Sequence, residues 1–320
     1  MKIASVSIVR DECDIIESFV RRNLQFFDVM YVVVHRSIDG SREIVAALRD
    51  EGLPVRAFED PGEGFNQAER TNRLARMALS EGADFVFPID ADEILAAASR
   101  EQLEAVLRTL PMGGAGGVFP WETYVPLPSD SPGELCPVRR IGHRYDTGPR
   151  WDRSLPHPIN LEACKVVVGR WFASEPRAWI FDGNHVVFVG EALSVVPLPG
   201  IRYAHFPCRT LDQLANKCVL GWIACLASAS FLEKSGVASH WKRIYERVSA
   251  GEGLAPEDLR EFLRSYAPEA RPDELIQDLL PSGDYTIRYA GLRRPRKLLP
   301  ALLETTERLA RATAPKRVPR

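Results

Sequence analysis

Two aspartates one residue apart, Asp90 and Asp92, close the run Ala83-Asp84-Phe85-Val86-Phe87-Pro88-Ile89-Asp90-Ala91-Asp92-Glu93. A short apolar run behind a Gly-Ala turn signal has the composition of a central parallel strand, and ligands collect outside the carboxyl ends of such strands. On an extended chain side chains alternate, so Asp90 and Asp92 project to the same side and can share one hard divalent cation. The competing reading is a strand followed by an aspartate that caps a short helical turn. Lys165 stands out for a different reason. It directly precedes Val166-Val167-Val168, and a lysine in an apolar strand needs a partner, so it is either an edge position or a site residue.

The elements that must position these groups follow from periodicity. Residues 2–9 predict a first strand, with Asp11 placed to cap a helix that carries Ile15, Ile16, Phe19, Val20, Leu24 and Phe27. Residues 29–34 predict a second, fully apolar strand, followed by the polar loop His35-Arg36-Ser37-Ile38-Asp39-Gly40-Ser41 and a helix marked by Ile44, Val45 and Leu48. A third strand over 53–58 and a helix over 66–80 precede the strand of the two aspartates. Alternating units of this length predict an α/β fold with a mostly parallel sheet covered by helices on both faces. After about residue 111 the texture changes. Residues 126–158 are rich in Pro, Gly and Arg and predict a functional loop or lid. Short strands are expected between 163 and 206, with Asp182-Gly183-Asn184 as a hairpin turn. Thr210-Leu211-Asp212-Gln213 reads as a capping box opening a helix to about 232, and short helices are expected over 240–249, 256–265 and 272–280. The expected organisation is 1–110 and 111–235 as two halves of one domain, then 236–320 as a helical C-terminal extension with a basic tail.

Composition narrows the function classes. A formal charge of −2 gives no global case for nucleic-acid binding. Six cysteines without a C-x-x-C pair or His/Cys metal spacing predict buried thiols in a reduced, cytoplasmic setting. Arg10, Asp11 and Glu12 interrupt the N-terminal apolar run too early for a signal peptide. There is no G-x-G-x-x-G after the first strand and no G-x-x-x-x-G-K. A nucleotide would therefore be held another way, and a metal bridging diphosphate to carboxylates is the obvious substitute.

With Ser37-Ile38-Asp39-Gly40-Ser41 after the second strand and Asp90-Ala91-Asp92-Glu93 after the fourth, the chain resembles family 2 glycosyltransferases of the GT-A fold. It resembles in particular a bacterial branch that opens like Val9-Arg10-Asp11-Glu12. That branch also carries segments like Gly183-Asn184-His185 and His205-Phe206-Pro207-Cys208-Arg209-Thr210-Leu211-Asp212-Gln213. The match covers roughly residues 2–95, then islands out to about 217. It implies a Rossmann-like nucleotide-sugar domain and transfer of a sugar from a nucleoside-diphosphate donor to a hydroxyl of a carbohydrate or lipid-linked acceptor. It further implies Mn²⁺ or Mg²⁺ held by Asp90 and Asp92, with Asp92 the more direct ligand. Many members carry an aspartate against the nucleobase where this chain has His35, and histidine offers a different donor–acceptor pattern.

The remaining roles are assigned on that footing. His205, ending a strand beside Pro207, is the candidate third metal ligand, weighed against a histidine packed at a strand end; His185 is the runner-up. Arg70 and Lys217 are candidates to meet the diphosphate, Arg70 in a helix whose Asn66, Arg70 and Arg73 share one face. Asp11 and Asp39 either contact the nucleoside or only cap their helices. If the anomeric carbon inverts, a carboxylate must accept the acceptor's proton; Asp152, Asp182 and Glu191 qualify, and Asp182 is preferred. Trp121, Trp151, Trp171 and Trp179 are either sugar-stacking or packing residues. Other classes considered are a nucleotidyltransferase, which would want a glycine-rich loop after the first strand, and a non-catalytic nucleotide-binding scaffold. From Arg293 onward, nine Lys or Arg against two Glu suggest either peripheral contact with an anionic membrane or a helix packed on the protein.

Overall fold

The computed structural model describes residues 1–60, 67–111, 114–147, 161–226, 239–271, 274–281, 283–295, 297–299, 302–303 and 306–307. The first part alternates strand and helix: β1 (Ile3–Val9), α1 (Ile16–Asn23), β2 (Val29–His35), α2 (Ser41–Asp50), β3 (Val55–Asp60), α3 (Gln67–Ser80) and β4 (Phe85–Pro88). There follow β5 (Glu93–Ala96), α4 (Arg100–Leu107), β6 (Gly116–Thr123), α5 (Pro137–Arg140), β7 (His143–Tyr145), β8 (Cys164–Gly169) and α6 (Trp171–Ser174). Then come β9 (Ala178–Ile180), β10 (Val187–Val189), β11 (Ala192–Leu193), β12 (Val195–Pro197), β13 (Arg202–His205) and α7 (Leu211–Leu226). The result is the expected α/β architecture, a mostly parallel sheet flanked by helices.

The main sheet runs β3-β2-β1-β4-β8-β6-β13-β5, with β12 added to β6. β1 pairs in parallel with β2 on one side and with β4 on the other. The chain thus leaves β1 in one direction and comes back on its other flank, which makes the β1/β4 boundary a topological switch point. Beyond β4 the sheet turns antiparallel through β8. β5 adds to the expected strands; it pairs antiparallel with β13 at the far edge. Pro88 has no amide to give the ladder, and the next bond to β1 is the Ile89 amide on the Val6 carbonyl at 3.0 Å. β4 therefore ends early and hands residues 89–92 to a turn.

Two apolar layers hold the sheet. Phe27, Phe87, Phe119 and Tyr203 form a chain of aromatic contacts on the α1 face, with centroids 4.8–5.7 Å apart. Leu74, Ala75, Ala78 and Leu79 of α3 cover the other face with Val6, Val86 and Val166. These positions of α3 recur at helical spacing, which is why the helix lies flat on the strands. A third cluster joins α7 to the helices Ser239–Ser249 and Pro256–Arg264.

Of the helix expected over 272–280, residues 272–273 lie outside the described residues and 274–280 are not helical. Leu275–Gln277 pairs antiparallel with β7, and Asp278 receives Arg144 and Arg202 at 2.5 and 2.6 Å. Tertiary pairing outweighs the helix-start signal of Pro272-Asp273-Glu274. The chain then returns to the first helices, where the amides of Arg288 and Tyr289 donate to the Glu17 carboxylate at 2.8 and 3.0 Å. The tail beyond 293 lies largely outside the described residues. No helix among the described residues is long and apolar enough to cross a membrane.

Gly40 is where that returning segment presses on the second loop. Its φ is +98°, and a Cβ there would overlap the Leu292 carbonyl. Gly52, at φ +92°, has nothing within 4 Å of such a Cβ. Gly52→Ala should therefore cost only the left-handed backbone penalty of about 1–2 kcal/mol. Gly40→Ala should cost clearly more, since it adds the clash, and urea unfolding of the two variants measures the difference.

Candidate active site

The turn after β4 shapes the site. The Glu93 amide donates to the Asp90 carbonyl at 3.0 Å, and the Asp90 amide donates to Glu93 Oε2 at 2.9 Å. Asp90 and Asp92 therefore stand on a tight turn rather than on an extended chain, and each carboxylate addresses a different lysine. That replaces the shared-side geometry expected of a strand.

Asp90 keeps 29% of its side chain exposed. Its Oδ2 accepts from Lys165 Nζ at 2.8 Å, and its Oδ1 accepts from Gln67 Nε2 at 3.0 Å and Asn184 Nδ2 at 3.3 Å. Lys165 is 1% exposed and also reaches Glu93 Oε1 and the Gly183 carbonyl, both at 2.8 Å. Its ammonium lies 4.7 Å above the Trp121 ring. Burial alone would lower this lysine's pKa, but Asp90 and Glu93 outweigh it and hold the charge. Glu93 is fully buried, and burial is the larger effect on it: despite Lys165, with Asp90 and Asp92 adding repulsion, it is pushed up to about 8. We accordingly assign the ion pair to Lys165 and Asp90, with a proton on Glu93 at neutral pH.

Asp92 is nearly buried. Lys217 Nζ donates to its Oδ2 at 2.6 Å, and His205 Nε2 lies 3.7 Å from its Oδ1. The Phe206 amide donates to the Asp92 carbonyl at 2.7 Å, so the end of β13 fixes the aspartate's backbone. Burial works to raise its pKa, yet Lys217, with Arg209 beyond it, draws it well below the usual range. His205 stacks on Trp121 with centroids 4.3 Å apart. Burial, opposed by Asp92 and reinforced by Lys217, holds His205 neutral. Trp121 is thereby spent on packing in the middle of the cluster.

A third cation comes from the segment after β13. Arg209, 2% exposed, grips Asp14 with Nε at 2.7 Å and Nη2 at 2.8 Å, and Nη2 also bonds Glu12. The arginine draws Asp14 down against its burial, whereas burial wins at Glu12 and pushes it up to about 7. The loop after β1 is in this way tied to the start of α7. Arg209, Glu12, Asp14 and Glu93 are members of the site that sequence reasoning does not single out. The signals available were Glu93 directly following the aspartate pair, and Arg209 inside the His205–Gln213 segment.

The other expected residues fall around this centre. Asp11 does not cap α1, which begins at Ile16 with no side-chain cap. It adopts φ +56°, and its Oδ1 accepts the Ile38 amide at 2.9 Å, joining the first two loops. Asp39 is buried, accepting the Cys13 amide at 2.7 Å and both the amide and hydroxyl of Ser41 at 2.9 and 2.7 Å. His35 ends β2, and burial, with Arg70 and Arg10 nearby, lowers it to about 4. Arg70 pairs with Asp60 at the end of β3. Asp182 is exposed, and its Oδ1 accepts the Ala68 amide at the start of α3 at 3.0 Å. Its neighbours Gly183 and Asn184 touch Lys165 and Asp90, which puts it at the edge of the cluster. His185 packs edge-on against Trp121 with centroids 5.5 Å apart, and its Nδ1 lies 2.8 Å from the Cys164 carbonyl. Trp151 and Asp152 lie outside the described residues.

The expected Mn²⁺ or Mg²⁺ ligands can be tested on this geometry. Among the described residues, no three His, Cys, Asp or Glu converge on a point that suits a metal. Asp92 and His205 approach each other, but Asp92 already carries an ammonium. Asp90 Oδ2 and Asp92 Oδ2 are each taken by a different lysine, so a divalent ion shared by the two aspartates would have to displace both ammonium groups. The residues as arranged do not fit a divalent ion.

A pH dependence follows. Glu93's pKa is raised from its ordinary 4.5 to about 8, so its contribution to stability is complete below 4.5 and lost as pH rises through about 8. His35, His185, His205 and His240 are all lowered by burial. Their contribution is present above about 6.5 and lost as pH falls below it. Stability should therefore decline from pH 6.5 to 8, by at most about 1.4 kcal/mol per pH unit for each proton held. Glu93→Gln should lessen that decline in urea-unfolding series, with the part due to Glu12, raised to about 7, remaining.

No protein-family profile matches the chain, and no curated protein sequence does. Solved structures show a loose likeness. Residues 1–349 of TarS from S. aureus superpose with a TM-score of 0.36 at 10% identity, over 84% of this chain and 81% of that one. The mannosyltransferase PcManGT from Pyrobaculum calidifontis, in complex with GDP-Man and Mn²⁺, gives 0.39 at 14% identity, over 97% and 80%. Mannose-1-phosphate geranyltransferase from Thermus thermophilus gives 0.29 at 15% identity, over 80% and 69%. Superpositions this loose carry nothing about the chemistry, which rests on the geometry of this chain.

Proposed function

We propose that the chain is a glycosyltransferase that takes a sugar from a nucleoside-diphosphate donor and passes it to an acceptor hydroxyl. One observation carries the reading. Where the sheet changes direction between β1 and β4, the loops after both strands bring together Glu12, Asp14, Asp90 and Asp92, countered by Lys165, Arg209 and Lys217 from the second half of the chain. Open α/β sheets bind ligands at such a point. A cluster of paired charges there, with Asp92, Lys165 and Arg209 buried, supplies the preorganised electrostatics that departure of a diphosphate requires.

In this reading the loops holding Asp11, His35 and Asp39 receive the nucleoside, and Arg70 and Lys217 face the diphosphate. The bond between the sugar's anomeric carbon and the phosphate oxygen breaks, and the acceptor oxygen bonds to that carbon. Its proton passes to Asp182, whose Oδ2 is not used in capping α3, and the nucleoside diphosphate leaves. Carbohydrate or lipid-linked hydroxyls are the acceptor class.

A panel of nucleoside diphosphates scored by thermal shift tests the reading, with saturable stabilisation by one of them expected. Asp182→Asn keeps an oxygen to cap Ala68, so it should leave nucleotide binding intact while lowering turnover about 10²- to 10⁴-fold. Pyrophosphate release from a nucleoside triphosphate and a sugar phosphate would indicate nucleotidyl transfer instead. No response to any nucleotide would contradict the proposal.

A further inference from the structure

The three cations of the site differ in how far they are closed off from solvent. An ammonium has three donors. Lys165 donates to Asp90 and to the Gly183 carbonyl, has Glu93 Oε1 2.8 Å away, and is sealed from solvent. Arg209 is likewise enclosed, bonding Asp14, Glu12 and the Phe206 carbonyl. Lys217 has two acceptors among the described residues, Asp92 Oδ2 at 2.6 Å and the Pro207 carbonyl at 3.0 Å. Its third donor has none among them, and its side chain is 22% exposed. Of the three, Lys217 is the cation that can meet an incoming anion.

It is also held still. Lys217 projects from α7, whose first turn is locked by Gln213 accepting the Arg209 amide at 2.8 Å. Asp92, its counter-ion, is fixed at its backbone by Phe206. A lysine tethered by a buried carboxylate at one donor and a carbonyl at another, with a partly exposed side chain, is a preorganised cationic hydrogen-bond donor. The same tether occupies the aspartate that a divalent ion would need.

We propose that Lys217, positioned by Asp92, neutralises the donor's diphosphate in place of a divalent metal ion, so that this chain binds nucleoside diphosphate without metal. The inference rests on the transferase reading above. It makes Asp92 a positioning residue rather than a metal ligand, and Lys165 a counter-ion that fixes Asp90 and Glu93. An ammonium suits this task as a compact charge with rotatable donors.

The test is calorimetric titration of the full chain with the nucleoside diphosphate selected by the thermal-shift panel, in EDTA and again in excess Mn²⁺. Affinities within about threefold of each other are expected, since a charge-assisted bond from Lys217 needs no ion. Lys217→Met should weaken binding about ten- to hundredfold, and Lys217→Arg should recover part of the loss. Because Lys217→Met leaves Asp92 buried without its partner and can unfold the chain, the comparison of EDTA with Mn²⁺ on the unaltered protein decides the matter alone. Affinity that collapses in EDTA and returns with Mn²⁺ overturns the inference while leaving the transferase reading intact. Metal-free binding unchanged in a folded Lys217→Met variant overturns the role of Lys217. No binding in either condition overturns both.

Discussion

An ammonium held on a carboxylate with one of the two partners buried is the constraint around which this molecule is arranged. Removing either charge from water costs several kcal/mol, and the cost is met only where geometry and further hydrogen bonds are good. Lys165 between Asp90 and Glu93, and Lys217 on Asp92, meet that condition with contacts of 2.6–2.8 Å. Once these pairs are inside, much else follows. The turn after β4 must be tight so that neighbouring carboxylates point to different partners. β8 must lie next to β4 to deliver Lys165, and α7 must start where Arg209 and Lys217 reach the loops after β1 and β4. Buried pairs of this kind are poor devices for stability, and their concentration at one sheet boundary is what makes the site a functional candidate.

The two parts of the chain divide the work. The parallel strands β3-β2-β1-β4 supply the loops and most of the acidic groups, and β8, β13 and α7 supply the bases. Neither set is complete by itself. Carboxylates still outnumber bases, and the excess is taken up by protons, on Glu93 above all. Among the described residues, those with positive φ other than glycine, Asp11, Arg36 and Asn184, all lie in the loops around this boundary, as expected where backbone is held to place side chains.

How much of this is legible in the sequence depends on the distance along the chain. The strand of Asp90 and Asp92 is readable because a short apolar run between turn signals has few other interpretations. Lys165 is readable as an anomaly, since a lysine before three valines demands a partner, but its partner lies 75 residues away. That pairing depends on β8 inserting beside β4, which no local pattern encodes. Arg209 and Asp14 are 195 residues apart. Capping is the commonest local use of an aspartate, which makes it the natural local reading of Asp11, whereas its loop turns back to meet Ile38. The expected helix over 272–280 fails for the same reason, a local start signal overruled by a strand partner at β7. Sheet, helices and acidic pair are accessible from periodicity; the identity of their counter-ions is not, and the counter-ions decide the chemistry.

The most direct measurement is a crystal structure of the chain soaked with nucleoside diphosphate and MnCl₂, with anomalous data collected at the manganese edge. The account predicts diphosphate oxygens within hydrogen-bond distance of Lys217 Nζ, the Lys217–Asp92 contact retained, and no anomalous peak on Asp90 or Asp92. A manganese peak bridging those two aspartates and the diphosphate, with Lys217 displaced, would contradict it.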